Sequence, residues 1–395
     1  MKELPVIIAG GGIGGLAIAC GLAQKGVRSI VLEMASQLGE IGAGIQIGPN
    51  AFHCFDYLGI GEEARAKAVY VDYLRLMDAT NGEEIVAISL GENFRKRFQN
   101  PYAVVHRADL HGVLLKACRD SKMVEIRASH AVESYEQDEK SVRVFCRNKD
   151  PVDGLVLIGA DGLRSNVRQQ MIGDGEPRIS GHATYRSVIP VDKMPEELRW
   201  NAATLWAGPK CHIVHYPLKA SKVYNLVVTY HNDIEELVAG RAVDKEQVRQ
   251  GFEHITPRAQ QIIEHGEDWK LWVLCDRDPI MNWADGRVAL LGDAAHPMMQ
   301  YLAQGACMAM EDAVCLSHMF GRHEGDVEKA LEAYVSNRAL RTGRVQMSAR
   351  LMGDMVFHPD GAEAAIRNDV FSKRSEEEWY NRLEWLYGKS SLSLS

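Results

Sequence analysis

Leu4-Pro5-Val6-Ile7-Ile8-Ala9-Gly10-Gly11-Gly12-Ile13-Gly14-Gly15 is the stretch from which the rest of the fold is read. Leu4 to Ala9 is an apolar run of strand length that enters a glycine loop directly. Gly14 to Lys25 has helical periodicity, with the small residues Gly15, Ala19 and Ala23 on one face for close packing against a sheet. Gly26 is a stop signal, and Val27 to Glu33 is the next strand. The spacing therefore predicts a βαβ unit. Gly10-x-Gly12-x-x-Gly15 fits the phosphate loop of such a unit: one glycine for the tight turn, one for backbone approach to a diphosphate, one for helix–strand packing. The helix N-terminus offers N–H groups and a positive dipole end to the diphosphate. Glu33 closes the second strand, where a carboxylate can accept both ribose hydroxyls of an adenosine. A glycine fingerprint alone is a weak signal, but strand, helix and acidic terminator in register point to a bound dinucleotide.

Two further motifs stand far away in the chain. Gly159-Ala160-Asp161-Gly162 ends the apolar strand Leu155 to Ala160, and Gly292-Asp293-Ala294-Ala295-His296-Pro297 ends the strand Val288 to Leu291. Each places a small residue beside an aspartate, as a backbone needs where it comes close to a ligand and aims a carboxylate at a sugar hydroxyl. Either alone reads as an ordinary strand-end turn. With the glycine loop they indicate FAD, held along its length by one discontinuous domain.

Around these anchors, 72–98 and 179–275 alternate apolar and polar residues and are rich in β-branched and aromatic types, as in Ala183 to Val188 and Val223 to Tyr230. They predict a largely antiparallel sheet. Arg107 to Arg119, Ala306 to Phe320 and Val327 to Met352 predict helices. The expected fold is α/β: a Rossmann-like FAD-binding domain (1–71, 101–178, 276–350) interleaved with a mixed, largely antiparallel substrate-binding domain (72–100, 179–275), then a C-terminal helical segment (351–395). In that segment the cluster Trp379, Tyr380, Trp385 and Tyr387 suits packing or a dimer contact.

Composition narrows the function. The chain has 395 residues and a net charge of -8, with no long run of one sign, so the basic stripe of a nucleic-acid binder is missing. Its eight cysteines form no C-x-x-C pair and read as reduced thiols, which places the protein in the cytoplasm. No signal peptide is expected, and no stretch reaches the roughly 20 apolar residues of a membrane span. No His, Cys and Asp residues stand at metal-ligand spacing, so no metal is expected.

The three motifs, with Gly42-Ala43-Gly44-Ile45-Gln46 and His106-Arg107-Ala108-Asp109-Leu110, make the chain similar to the FAD-dependent aromatic hydroxylases, the single-component flavoprotein monooxygenases, over nearly its whole length. Gly208 to His212, Tyr216-Pro217-Leu218 and Pro297 to Ala306 resemble the members that act on a hydroxybenzoate para to its hydroxyl. The resemblance implies that Gly10, Gly12, Gly15, Glu33, Arg107, Asp161, Asp293, Gly305 and Ala306 hold FAD. Ala303 replaces the first glycine of the family's Gly-Gln-Gly turn. The resemblance further implies NADH as electron donor, dioxygen as co-substrate, a small phenolic acid as substrate and a homodimer. There is no second Rossmann fingerprint, so the nicotinamide donor would bind briefly in a surface groove.

Oxygen activated on a reduced flavin is an electrophile, so the phenol must be drawn towards phenolate, and histidine is the base whose pKa lies nearest operating pH. His212, His215 and His296 are the candidates. His296 belongs to the FAD motif. Period two places His212 and Tyr216 on one strand face and turns His215 away, towards solvent. The resemblance puts His212 at the substrate hydroxyl and makes Gln300 its companion at the flavin end; Tyr216, on the same face as His212, is a candidate for the substrate's polar end or for sheet packing. Arg186 is a candidate for a carboxylate, or equally for a surface ion pair. Trp206 and Met308 are pocket walls or core. The alternative within the family is a salicylate-type hydroxylase that releases carbon dioxide. Beyond it stand a peroxide-producing flavin oxidase and a flavin-binding sensor.

Overall fold

The computed structural model describes residues 4–39, 43–388 and 394. Its first sheet has six strands in the order Ala284–Asp285, Val288–Leu290, Val156–Gly159, Val6–Ala9, Ser29–Leu32, Val124–Arg127, all parallel except the first. Strands Val6–Ala9, Ser29–Leu32 and Val156–Gly159 are buried throughout, the pattern of a parallel sheet covered on both faces. Helix Ile13–Gln24 lies so close to it that a Cβ on Gly15 would press into the Gly10 carbonyl. Gly10 itself has φ +101°, a conformation that glycine adopts at no steric cost. Helix Gly305–Arg322 packs against Ile13–Gln24, and Val327–Met352 packs on it in turn.

The second sheet has eight strands, in the order Ala239–Ala242, Lys270–Asp276, Arg178–Pro190, Val223–Ile234, Cys211–Leu218, Ala202–Gly208, Tyr73–Asp78, Glu84–Ser89. Only the Ala202–Gly208/Tyr73–Asp78 pair is parallel. A three-stranded sheet of Gly44–Ile47, Ala103–His106 and Val69–Tyr70 stands between the two large sheets: the Gly44 amide donates to Asn225 Oδ1 at 2.8 Å. Gly42 of the expected loop lies outside the described residues.

Two stretches depart from the alternating pattern. Glu92–Phe98 is a helix inside the first segment, with Phe94 and Phe98 buried. Lys245–Arg249 and Pro257–His265 are helices inside the second. Their starts are encoded locally: the Asp244 and Thr256 side chains accept from Gln247 and Arg258 backbone N–H groups, and Pro257 occupies the first turn. Val248, Phe252, Ile262 and Ile263 then seal the back of the eight-stranded sheet over Trp206 and Ile213.

After Met352 a π-type turn, Gly353–Phe357, leads into helices Gly361–Ser372 and Glu376–Tyr387. The last starts at a capping box of Ser375 and Glu378. It sets Tyr380 and Tyr387 edge-on to Phe94 and Phe98 at 5.6–6.4 Å, so these two members of the aromatic C-terminal cluster pack within the chain, and Trp379, Trp385 and Tyr387 also line the cavity described below. Among the described residues no helix is long and apolar enough to cross a membrane. All eight cysteines are free.

Candidate active site

One cavity of about 1270 Å³ runs between the two large sheets. That is more than an ordinary small-ligand pocket needs and suits an extended dinucleotide with a substrate beyond it. Its walls fit FAD. Gly12 and Gly162 present bare backbone to open space, where an added Cβ would meet nothing within 4 Å. Arg107, Asp293, Gly305 and Ala306 also line the cavity, and Gly305 opens the 18-residue helix whose N-terminus faces it. Glu33 stands at the mouth of the glycine loop, accepting from the Gly11 and Ala35 amides at 2.7 and 2.8 Å; a carboxylate with two such bonds retains lone pairs for a ribose. Asp161 behaves differently from the expected sugar ligand. Its carboxylate faces helix Asn166–Met171, accepting from Ser165 Oγ at 2.5 Å and from the Asn166 and Val167 amides. It shapes the turn that exposes Gly162.

The 292–306 segment rests on a buried ionic frame. Asp312 accepts from His296 Nε2 at 2.5 Å, from the Gly292 amide at 3.1 Å and from Arg338 Nε at 2.8 Å. Glu311 accepts from Arg338, Arg341 and Asn50, and Asn50 also donates to Gln304 Oε1 at 2.9 Å. Burial pushes the Asp312 carboxyl up, but His296 and Arg338 against it outweigh that and hold it down at about 2. His296 is therefore part of this frame. Ala303 is left-handed, φ +52°, in the place where the family has glycine.

The cavity-facing side of the eight-stranded sheet is organised in cross-strand rows. Thr184, Thr229 and His212 form one, Arg186, Val227 and Val214 the next, Asn225 and Tyr216 the last. Gln300 comes down on this face from the first helical turn after Met299. Its Nε2 reaches Thr229 and Thr184 Oγ1 at 3.3 and 3.4 Å, and its Oε1 accepts from Arg186 Nη2 at 3.1 Å. The cavity thus brings together His212, Gln300, Tyr216 and Arg186. Arg186 is not a surface residue in an ion pair: among the described residues no carboxylate pairs with it, and its buried Nε has no partner. Burial lowers its pKa, yet a guanidinium stays charged.

His215 is turned from the cavity, as period two requires, but not towards solvent. It is buried on the back of the sheet and accepts from Trp206 Nε1 at 3.1 Å. The capped helices on that side are the reason. Trp206 and Met308 are likewise core and do not line the cavity.

Behind His212 stand three further histidines. His212 Nδ1 is 2.6 Å from His358 Nε2, and His358 Nδ1 is 3.0 Å from His231 Nε2. His182 pairs with His231 across the sheet and is bonded to Tyr301 Oη at 2.5 Å. The period-two spacing of His182, Thr184 and Arg186, and of Thr229 and His231, was a usable signal for the sheet residues. His358 had none, because it arrives from 146 residues away on the turn after Gly353. Burial first, then the neighbouring His182 and His231, push the His212 pKa well below its ordinary value.

Comparison with known proteins shows the family. A family model described as an FAD binding domain matches residues 3–349. The chain belongs to that family of FAD-binding proteins, and it is an FAD-dependent aromatic-ring monooxygenase. It is 53% identical over 387 residues, 98% of each chain, to 3-hydroxybenzoate 6-hydroxylase 1 of Aquipseudomonas alcaligenes. It is 49% identical to 3-hydroxybenzoate 6-hydroxylase of Polaromonas naphthalenivorans strain CJ2, covering 98% of this chain and 96% of the other. Among solved structures it resembles Klebsiella pneumoniae HpxO complexed with FAD and uric acid, with a TM-score of 0.86 and 26% identity, covering 96% of this chain and 95% of that one.

Proposed function

We propose that the chain para-hydroxylates 3-hydroxybenzoate to gentisate (2,5-dihydroxybenzoate), consuming NADH and dioxygen and releasing water. The observation that carries this reading is the meeting in the cavity of a base, an amide and a cation with no carboxylate partner among the described residues, His212, Gln300 and Arg186. Two relatives with the matching name, at 53% and 49% identity over nearly the whole chain, support it.

FAD, when bound, supplies the redox chemistry, accepting electrons from the nicotinamide donor and delivering one oxygen atom to the ring. Gly10, Gly12, Gly15 and Glu33 would hold its adenosine and diphosphate part, Arg107 and Asp293 the middle, and Gly305 and Ala306 the isoalloxazine end; Asp161 would act through the Gly162 turn. Arg186, half-buried and with no carboxylate partner among the described residues, takes the substrate carboxylate. Gln300 is pinned by Arg186 and the two threonines and directs its amide to the substrate hydroxyl. His212 accepts the phenol proton on Nε2, the nitrogen left by its bond to His358. Tyr216 closes the row beside Gly44. The division into an FAD-holding part and a substrate-holding part at the boundaries given above, cytoplasmic location and a homodimer belong to the same reading.

The test is a product assay on purified holoenzyme with NADH, dioxygen and 3-hydroxybenzoate, followed by chromatography and a parallel peroxide assay. Gentisate in near-equal amount to the NADH consumed is the expected result. Peroxide without gentisate overturns the substrate assignment. Carbon dioxide and a decarboxylated product from salicylate would instead favour the decarboxylating class.

A further inference from the structure

Four histidines stand together at one end of the substrate-facing rows: His212, His358, His231 and His182. The ring nitrogens of His182, His231 and His358 lie within 4.8 Å of one another, which invites a metal. The rings argue against it. A bound metal lies close to the plane of each imidazole, about 2.1 Å from its nitrogen. His182 and His231 are stacked at 3.8 Å with their planes 14° apart, so no such point serves both.

The hydrogen bonds form a file instead. Its inner end, His212, lines the cavity, and its middle, His358, is buried. Its outer end, His231, is partly exposed and adjoins the exposed Asn232, Asp233 and Lys210. Each neutral imidazole carries one donor and one acceptor nitrogen. If His212 Nδ1–H donates to His358 Nε2, then His358 Nδ1–H donates to His231 Nε2, and His212 is left with a bare Nε2. We propose that His358 and His231 are positioning residues that, through His212, carry the substrate's hydroxyl proton to solvent by a route that does not cross the cavity.

The proposal rests on the reading that His212 faces a phenolic hydroxyl. The substrate O–H bond breaks and His212 Nε2–H forms. The Nδ1 proton of His212 moves to His358 Nε2, the Nδ1 proton of His358 moves to His231 Nε2, and the Nδ1 proton of His231 leaves to water. One proton enters the solvent, one phenolate remains, and His212 Nε2–H now donates to it. Burial and mutual proximity keep His212 and His358 from storing a charge, which suits transfer rather than retention. The groups facing the file are His182, Tyr301, Lys210, Asp233 and Asp354; His182 stacks on His231, and its bond to Tyr301 holds it there.

The experiment is stopped-flow proton release. Oxidised holoenzyme is mixed with 3-hydroxybenzoate in weak buffer with a pH indicator, and binding is followed separately through the flavin spectrum. His358→Gln and His231→Gln should bind 3-hydroxybenzoate and melt as the parent does, but release the proton about 10²-fold more slowly. Free imidazole should restore the rate in His231→Gln, whose site is open to solvent. Release at the parental rate in His231→Gln, the variant least exposed to folding failure, overturns the file. Binding without proton release in the parent removes both the file and the phenol-deprotonation reading. Parental release that is lost in His212→Ala but intact in His231→Gln leaves that reading standing and removes the file alone.

Discussion

At His212 two demands meet. In the proposed function it is the base that faces the substrate, and the place is dry enough to disfavour an imidazolium: burial is the largest influence on its pKa, with His182 and His231 adding to it. His212 is therefore neutral and ready to accept. His212→Ala should slow hydroxylation by about 10²-fold or more while FAD affinity is unchanged; single-turnover kinetics beside an FAD titration would check it. Equal single-turnover rates would remove the residue from the chemistry. Arg186 is the other residue whose meaning depends on its surroundings. If it pairs with a carboxylate, Arg186→Leu should raise KM about tenfold or more, the worth of one charge-assisted hydrogen bond, and phenols without a carboxylate should be unaffected by the change. Arg186 was legible as a strand residue of one face. That the face looks into a cavity, and that no carboxylate among the described residues meets it, follows from eight strands and the 298–306 segment folding together.

Among elements, the 292–306 segment shows how a turn is held in an unfavourable shape. Ala303 keeps a left-handed conformation that costs a non-glycine residue roughly 1–2 kcal/mol. The Glu311–Asp312–Arg338–Arg341 frame and the Asn50–Gln304 bond hold the segment against that cost. Ala303→Gly should raise stability by about 1 kcal/mol with FAD binding intact, read from denaturant unfolding. A loss of stability would mean that the alanine methyl makes contacts worth more than the strain. The departure of the substrate regions from simple alternation is an element-scale lesson too. Asp244 and Thr256-Pro257 were readable helix starts, yet the surrounding apolar residues suit a strand or a helix equally over so few positions.

For the whole molecule, burial of histidine makes stability depend on pH. His182, His212, His215, His231 and His358 all have pKa values below the ordinary histidine value, with burial the leading cause; His182 falls to about 4 and His215 to about 3. In the unfolded chain they return to about 6.5. Between those limits the unfolded chain binds more protons. The stabilisation is therefore complete above pH 6.5 and is lost as pH falls towards the folded values. The Asp312 loss, from about 3.8 to about 2, lies below about pH 5.5 and adds to the histidine loss only at its acid end. Calorimetry of the holoenzyme should show the melting temperature falling by on the order of 5 °C between pH 7.5 and 5.5. A flat midpoint across that range would mean that these histidines titrate normally.

By itself the sequence determined what local chemistry can determine. Gly10 to Gly15 is a phosphate loop between strand and helix because only glycine tolerates the turn and the close packing there, and that is written in adjacent residues. The family, the FAD site and the strand face shared by His212 and Tyr216 follow from motifs and from a period of two. The tertiary structure alone decided which neighbours those residues meet. His215 turned away from the cavity but into a second core. Arg186 came to face a cavity. Asp161 spent its carboxylate on a helix start. His358 arrived behind His212 from the far end of the chain. Each of these outcomes depends on contacts between residues distant in sequence, and such contacts leave no periodic trace in the chain that makes them.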